Sequence, residues 1–406
     1  MRILHVGSPF TDFMGNFGLI FRCSEGLQTL GHEVTIVTTD ADCYYFDKEK
    51  SKQYASTRQK LLDAAGKIIQ INNVPTYVLH CITPRFGMYC PDATKFAKKI
   101  IKNYDVVHIC NWYSYISIIF YKIAYENNIP FFISPWGSLL PEARRLKNNQ
   151  KLIIDILYTK RMILRASGFQ SAGDSETQEL VKLGANSNKI YRIDNPVDLK
   201  DFEIKERTNI LDRIGIDKNT DRYLLFLSRI NKKKGIELLL RAFVKVLGVH
   251  KDLILVVAGS GEPDYEKEIK QMVHELRIEK SVKFTGLVSN NEKLELLESA
   301  KLFVLTSHSD VHPIAVQDAL TMGVPVVITK KCDYPEVGEY EAGIIVEPNI
   351  DSIHKAIIKM LVDENRLSLF SKNAKKLINE RFLLKDQAKK YEQMYLDAIK
   401  KSIPQC

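Results

Sequence analysis

Paired cysteines, long apolar runs and low-complexity tracts are all missing from this chain, and each absence removes a class of protein. The seven cysteines are Cys23, Cys43, Cys81, Cys90, Cys110, Cys332 and Cys406. None sits in a CxxC pair, and an odd, scattered set fits free thiols in a reducing cytoplasm. No apolar stretch reaches the roughly eighteen residues of a spanning helix. The most apolar window, Tyr113–Ala124, is too short and carries Ser and Lys. The opening Met1-Arg2-Ile3-Leu4-His5-Val6-Gly7 reads as a first strand, because its apolar run is too short for a signal peptide. No cluster of His, Cys and Asp has metal-ligand spacing, so no metal and no other cofactor is expected. No helix-turn-helix, zinc-finger or RNA-recognition signature is present, which argues against a nucleic-acid partner.

What is present suits a globular protein of two ordinary domains: 406 residues, 45% hydrophobic and 26% charged. The formal charge of +9 fits general solubility, an acidic ligand or an anionic membrane surface. Short β-branched runs alternate with helix-period segments throughout. In the first half the strand candidates are Arg2–Val6, Val34–Thr38, Thr76–His80, Val106–Ile109, Phe131–Ser134, Gly168–Ser171 and Lys189–Ile193. Asn195-Pro196-Val197-Asp198 breaks the pattern, and a polar stretch follows. Then strands recur at Tyr223–Ser228, Leu253–Ala258, Val282–Thr285, Leu302–Thr306, Val326–Thr329 and Gly343–Val346. This alternation predicts an α/β protein with two doubly wound, Rossmann-like parallel sheets facing each other across a cleft. The expected domains are 1–197 and 198–384, with a helix over 385–406 returning to the first.

Two strand–loop–helix segments carry the chemistry. In the first, Leu302-Phe303-Val304-Leu305-Thr306 leads through Ser307-His308-Ser309-Asp310-Val311-His312 to Pro313 at a helix start. Free N–H groups and the positive dipole end make such a start a site for a diphosphate. Asp310 lies in the loop, and Asp318 lies about two turns further on. A loop cap and a solvated helix residue are the plainer roles for these two. In the second, Leu224-Leu225-Phe226-Leu227 leads into Ser228-Arg229-Ile230-Asn231-Lys232-Lys233-Lys234-Gly235 and a helix. Arg and Lys suit phosphate oxygens, although one or two of these lysines are read as solvated loop charges.

Taken together these segments resemble the retaining nucleotide-sugar glycosyltransferases of the GT-B fold, in the family 4 or group 1 type. Ser228-Arg229 with Lys234-Gly235 is similar to the GR…KG element. Ala258-Gly259-Ser260-Gly261-Glu262 is similar to the G-x-G turn, and Val282-Lys283-Phe284-Thr285-Gly286 to the strand beside the nucleobase. Asp310…Asp318-Ala319-Leu320 with Gly323-Val324-Pro325-Val326-Val327 matches the E-x7-E signature and its continuation. Pro335-Glu336, Ala342-Gly343, Gly31-His32-Glu33-Val34 and Ile193–Asp198 match further elements. The resemblance implies that Arg229 and Lys234 bind the diphosphate and that Asp310 lies near the donor sugar. It implies that Asp318 holds the ribose hydroxyls, and that the main chain around His312, Pro313 and Ile314 meets sugar and phosphate. Gly259, Thr285 and Gly286 would line the nucleotide site, with Gly15 and Trp136 on the first domain. It also implies a metal-independent transfer of a hexose-type sugar to a glycan, lipid-linked or other hydroxyl acceptor.

Departures from the family pattern raise an alternative. Asp stands at both acidic positions where Glu is usual, and His312-Pro313 stands where Phe-Gly is common. Gly15 is the single glycine of an acceptor loop that usually has a pair, and Trp136 occupies a place where His or Arg is frequent. A catalytically silent protein that binds a nucleotide-sugar, or partners an active enzyme, is that alternative. A dinucleotide dehydrogenase has only Gly259-x-Gly261 in its favour. Finally, Glu142–Arg165 is rich in Arg and Lys interleaved with Ile153, Ile154, Leu157, Met162 and Leu164. It reads either as a basic helix resting on an anionic membrane or as a surface helix with a core-facing stripe.

Overall fold

The computed structural model describes residues 1–7, 16–41, 48–82, 89–145, 148–217 and 222–402. The chain divides into two compact units, Met1–Val197 with Leu384–Cys406, and Asp198–Leu383. Each is built on its own sheet.

The first unit holds eight strands: β1 (Arg2–Gly7), β2 (Glu33–Thr39), β3 (Ile68–Ile71), β4 (Val74–Leu79), β5 (Val106–Cys110), β6 (Phe131–Ser134), β7 (Gly168–Ser171) and β8 (Ile190–Arg192). Their order is β3-β4-β2-β1-β5-β6-β7-β8. All pairings are parallel except β3–β4. That antiparallel edge strand has no counterpart among the strands expected from the sequence. Asn72 and Asn73 form its two-residue turn, with φ of 48° and 61°. Asn tolerates this left-handed region, which a hairpin twist of this hand requires. The central strands β1, β5 and β6 are almost wholly buried, as helices on both faces demand.

The C-terminal helix Leu384–Ser402 packs on this unit. Tyr391, Met394, Tyr395 and Ala398 join Ile3, Cys23, Leu27, Val34, Val106, Phe132 and Ile193 in one buried cluster. Burying each large apolar side chain stabilises by about 1.5–3 kcal/mol, so the helix is an integral part of the unit. The Tyr395 hydroxyl lies 2.6 Å from His108 Nδ1 and 3.3 Å from His5 Nε2. Burial pushes His5 down to about 4 and His108 well below the usual imidazole range. Both rings are therefore neutral at pH 7 and serve as hydrogen-bonding core residues.

The basic segment of the first unit is not one regular helix. Pro141–Arg145 and Asn148–Ile154 are separate stretches, and Asp155–Thr159 is a π-turn that leads into Lys160–Arg165. The π-turn holds one more residue than an α-turn, so residues on either side of it do not share one stripe. Met162 is buried and Ile154 half-buried, but Leu152, Ile153, Ile156, Leu157 and Leu164 are 47–71% exposed. The core-facing stripe expected from the sequence is thus split. No helix among the described residues is long and apolar enough to cross a membrane.

The second unit holds β9 (Tyr223–Leu227), β10 (Ile254–Ala258), β11 (Val282–Gly286), β12 (Leu302–Leu305), β13 (Val326–Thr329) and β14 (Gly343–Val346). The order is β11-β10-β9-β12-β13-β14, with every pairing parallel. Numbered within the unit this is 3-2-1-4-5-6, the doubly wound arrangement whose chain direction reverses between the first and fourth strands. Here that switch point lies between β9 and β12. All residues of both strands are buried.

Candidate functional site

The switch point sets the site. Loops leaving neighbouring strands at such a point diverge to opposite faces of the sheet and open a crevice beyond the carboxyl ends. The loop after β9 carries Arg229 and Lys234, and the loop after β12 carries Asp310 and Pro313.

These loops are stitched by their backbones. Lys232–Lys234 form a 3-10 turn closed by Gly235 at φ +63°. A Cβ on Gly235 would overlap the Thr306 carbonyl oxygen. In return Thr306 Oγ1 donates to the Gly235 carbonyl at 2.7 Å, and the His308 N–H donates to the Lys233 carbonyl at 2.8 Å. This close approach, which glycine alone allows, brings the Lys234 ammonium onto the Asp310 carboxylate as an ion pair. The Ser307 hydroxyl donates to the same carboxylate at 3.1 Å. Both charged side chains are mostly buried, 12% exposed for Lys234 and 14% for Asp310. Desolvation pushes Asp310 up, but the charges of Lys234 and Lys233 and the hydrogen bonds from Lys234 and Ser307 outweigh it. The carboxyl group is held below its ordinary value and is ionised at pH 7.

A second set of stitches orders the adjoining edge. Ser228 N–H donates to the Ala258 carbonyl at 3.0 Å, Ile230 N–H to Ser260 at 3.0 Å, and Gly259 N–H to Gly286 at 2.8 Å. Gly259 has φ +123°, and side chains at Gly259 and Gly261 would overlap the carbonyls of Ser228 and Ile230. The G-x-G turn is therefore a close backbone packing, and it leaves Arg229 exposed at the carboxyl edge of β9. Thr285 is half-buried and its hydroxyl donates to Gly286 O at 2.7 Å; Gly286, at φ +70°, is exposed at the end of β11.

Pro313 is the N-cap residue of the Ile314–Thr321 helix, with ψ 126°, so the helix itself starts at Ile314. The first-turn N–H groups of a helix have no partner within it, and those of Ile314 and Ala315 lie at this edge. Farther back in the loop the donors are used: Asp310 N–H bonds Lys331 O at 2.8 Å, and His312 N–H bonds Cys332 O at 3.2 Å. His312 sits at φ +42°, strained for a residue with a Cβ. Its ring turns inward, buried and stacked on Tyr334 with centroids 3.9 Å apart, and its Nε2 lies 3.2 Å from Glu336 Oε2. Its N–H is thus used within the loop, and its ring packs on Tyr334. The donor surface begins at Ile314.

Asp318 is buried as well. Its Oδ2 lies 2.7 Å from the Lys293 ammonium, and the two side chains are 5% and 8% exposed. The plain reading of Asp318 as a solvated helix residue is overturned. Lys293 is a residue that sequence reasoning missed. The Ser289…Glu292 capping box that begins its helix is legible in the sequence, but nothing in the pattern marks the next residue as buried.

Two expected site residues belong to the first unit. Trp136 follows β6 at φ +47° and packs, half-buried, against a cluster containing Ile20, Ile36, Val74 and Val78. The adjacent Gly137 N–H donates to the buried Glu176 Oε1 at 2.5 Å. Gly15 lies outside the described residues.

Comparison with known proteins agrees with this architecture. Residues 208–377 match the family Glycosyl transferases group 1, and residues 19–201 match Glycosyltransferase Family 4. An uncharacterized glycosyltransferase of Methanocaldococcus jannaschii is 25% identical over 405 residues, covering 94% of this chain and 95% of the relative. The N-acetyl-alpha-D-glucosaminyl L-malate synthase of Bacillus anthracis is 27% identical, over 56% of this chain and 58% of its own. Among solved structures, Anabaena HepE in complex with UDP and glucose superposes with a TM-score of 0.74 at 16% identity, covering 98% of this chain and 100% of that one. Sucrose-phosphate synthase from Thermosynechococcus elongatus reaches 0.77 at 16% identity, with 98% and 99% covered. A fold of two parallel α/β sheets with the sugar-transferase signature on the second, matched along both halves, places the chain in the group 1, family 4 glycosyltransferases of the GT-B fold.

Proposed function

We propose that this glycosyltransferase takes a hexose-type sugar from a nucleotide diphosphate and transfers it, with retention and without a metal, to a hydroxyl of a glycan or lipid-linked acceptor. The observation that carries the reading is the Lys234–Asp310 pair beside a helix start at the switch point of the second unit. When the bond from the anomeric carbon to the phosphate oxygen breaks, negative charge grows on that oxygen. Lys234, Arg229 and the Ile314 and Ala315 N–H groups stabilise it, and preorganised donors in a dry site act most strongly where charge develops. Two cations then perform the neutralisation for which other transferases use a metal. The acceptor oxygen bonds the anomeric carbon on the face the phosphate leaves, and the acceptor proton passes to the departing phosphate oxygen. Asp310 holds Lys234 in place and lies where the donor sugar would stand. HepE, solved with UDP-glucose, supports a nucleotide-sugar donor. The test is methanolysis of α-configured UDP-, GDP- and ADP-hexoses followed by proton NMR. An α-methyl glycoside from one of them is expected; a β product would reject retention, and no turnover of any would reject the donor class.

The exposed row on the first unit supports an acceptor presented at an anionic membrane, with the enzyme in the cytoplasm. Leu152, Ile153, Ile156, Leu157 and Leu164 point outward beside exposed Lys160, Arg161 and Arg165. Asp155, the one acid between Leu152 and Arg165, is turned inward, where it accepts from Arg144, Tyr113 and Thr159. The outer face is thus apolar and cationic with no carboxylate, the composition that seats a helix in an anionic interface. The described cysteines are free thiols, which supports a reducing compartment. Co-sedimentation with phosphatidylglycerol vesicles is expected, and Ile153→Ser with Ile156→Ser should weaken it roughly tenfold or more, because each side chain loses burial worth about 1 kcal/mol or more. Equal binding to neutral phosphatidylcholine vesicles would contradict this docking.

A further inference from the structure

The geometry points to Lys293 as a ribose-reading residue that acts jointly with Asp318, an inference resting on the nucleotide-sugar reading above. Burying an ammonium and a carboxylate costs several kcal/mol per ion, and an apolar pair of similar volume is often at least as stable. The Lys293–Asp318 pair is therefore poorly explained by stability. Its placement offers a better reason. Lys293 lies in the first turn of the Asn290–Ser299 helix, just after β11, and Asp318 in the second turn of the helix after β12. Both helices start at the carboxyl edge of the sheet, on the strands that flank β10 and β9.

The donor and acceptor inventory fits a vicinal diol. One ammonium hydrogen is directed to Asp318 Oδ2 at 2.7 Å, which leaves two donors on Lys293 and the lone pairs of Oδ1 on Asp318. One ribose hydroxyl can donate to the carboxylate while its neighbour accepts from the ammonium. The ring of Phe202 lies 5.7 Å from the ammonium and keeps that cation partly dry. Asp reaches one methylene less far than the Glu usual at this position, and Lys293 supplies a second contact that offsets the shorter arm. Because the pair is neutral, it adds nothing to the attraction for the diphosphate.

This separates ribose from phosphate in one calorimetric experiment. Wild type, Lys293→Met and the apolar pair Lys293→Met/Asp318→Leu are titrated with the nucleoside diphosphate that the wild type binds, with its 2′-deoxy analogue, and with inorganic pyrophosphate. We expect Lys293→Met to weaken the ribonucleotide roughly tenfold, the range for a hydrogen bond to a charged group. The ribose-to-deoxyribose preference should fall in that variant and reach near unity in the double variant, where the site stays neutral and pyrophosphate affinity should stay unchanged. If the single variant does not fold, the double variant, which has no buried charge left, carries the same comparison. An unchanged ribose preference, or a parallel loss for ribonucleotide and pyrophosphate in the double variant, overturns the inference and leaves the donor reading standing. Absence of any nucleoside diphosphate binding to the wild type overturns both.

Discussion

Lys234→Met is expected to lower donor turnover by roughly a hundred- to a thousandfold, the loss that follows removal of one preorganised donor from a site of charge development. The geometry says why the effect should be that large. Lys234 is mostly buried and ion-paired with Asp310, so its charge is little screened by water. Methionine keeps the length of the side chain and removes only the ammonium. The substitution also leaves a mostly buried carboxylate without its main counter-charge, so the Asp310 pKa should rise towards or above the ordinary range. Lys234→Met/Asp310→Asn removes that second problem and should recover stability without recovering turnover. Rates of nucleoside diphosphate release, read beside circular dichroism melts, separate the two effects. Near wild-type turnover in a folded Lys234→Met protein would refute the catalytic role.

Gly235→Ala should be strongly damaging to the second unit. The new Cβ overlaps the Thr306 carbonyl and is held at φ +63°. A left-handed alanine costs about 1–2 kcal/mol by itself, and the overlap forces apart two loops joined by the Thr306–Gly235 and His308–Lys233 hydrogen bonds. A total near 3 kcal/mol would lower the melting temperature by about 6–12 °C for a unit of this size. Gly215→Ala is the matched control. Gly215 has φ +69°, and nothing lies within 4 Å of the place its methyl would take, so only the conformational cost applies. Equal melting temperatures for the two variants would mean that the loop stitching does not matter. A larger loss at Gly235, accompanied by weaker nucleotide binding, is the expected result.

Much of this was legible in the amino acids. Phe131–Ser134, Gly168–Ser171, Val326–Thr329 and Gly343–Val346 have the bounds read from sequence, and all but Gly168–Ser171 are short apolar runs. The GR…KG and G-x-G elements marked the loops beyond β9 and β10, since glycines at close backbone crossings leave a spacing that survives in sequence. Side-chain direction was not legible. His312 lies in the signature loop, yet tertiary packing against Tyr334 turns its ring away from the edge. Lys293 looks like any exposed helix lysine until Asp318 is brought to it from 25 residues away. The strand Ile68–Ile71 is only four residues long and turns on Asn-Asn, a weaker hairpin signal than Asn-Gly. The basic segment misled for a related reason: a π-turn shifts the register within it, and a regular period cannot show that.

The central claim is that a diphosphate is held between the Lys234 ammonium and the start of the Ile314–Thr321 helix, beyond the ends of β9 and β12. A crystal structure with the bound nucleoside diphosphate tests it most directly. The account predicts phosphate oxygens within hydrogen-bond distance of Lys234 Nζ and of the Ile314 or Ala315 N–H, with Arg229 turned towards them. Phosphate density at any other edge of the sheet, with the Lys234–Asp310 pair undisturbed, would contradict it.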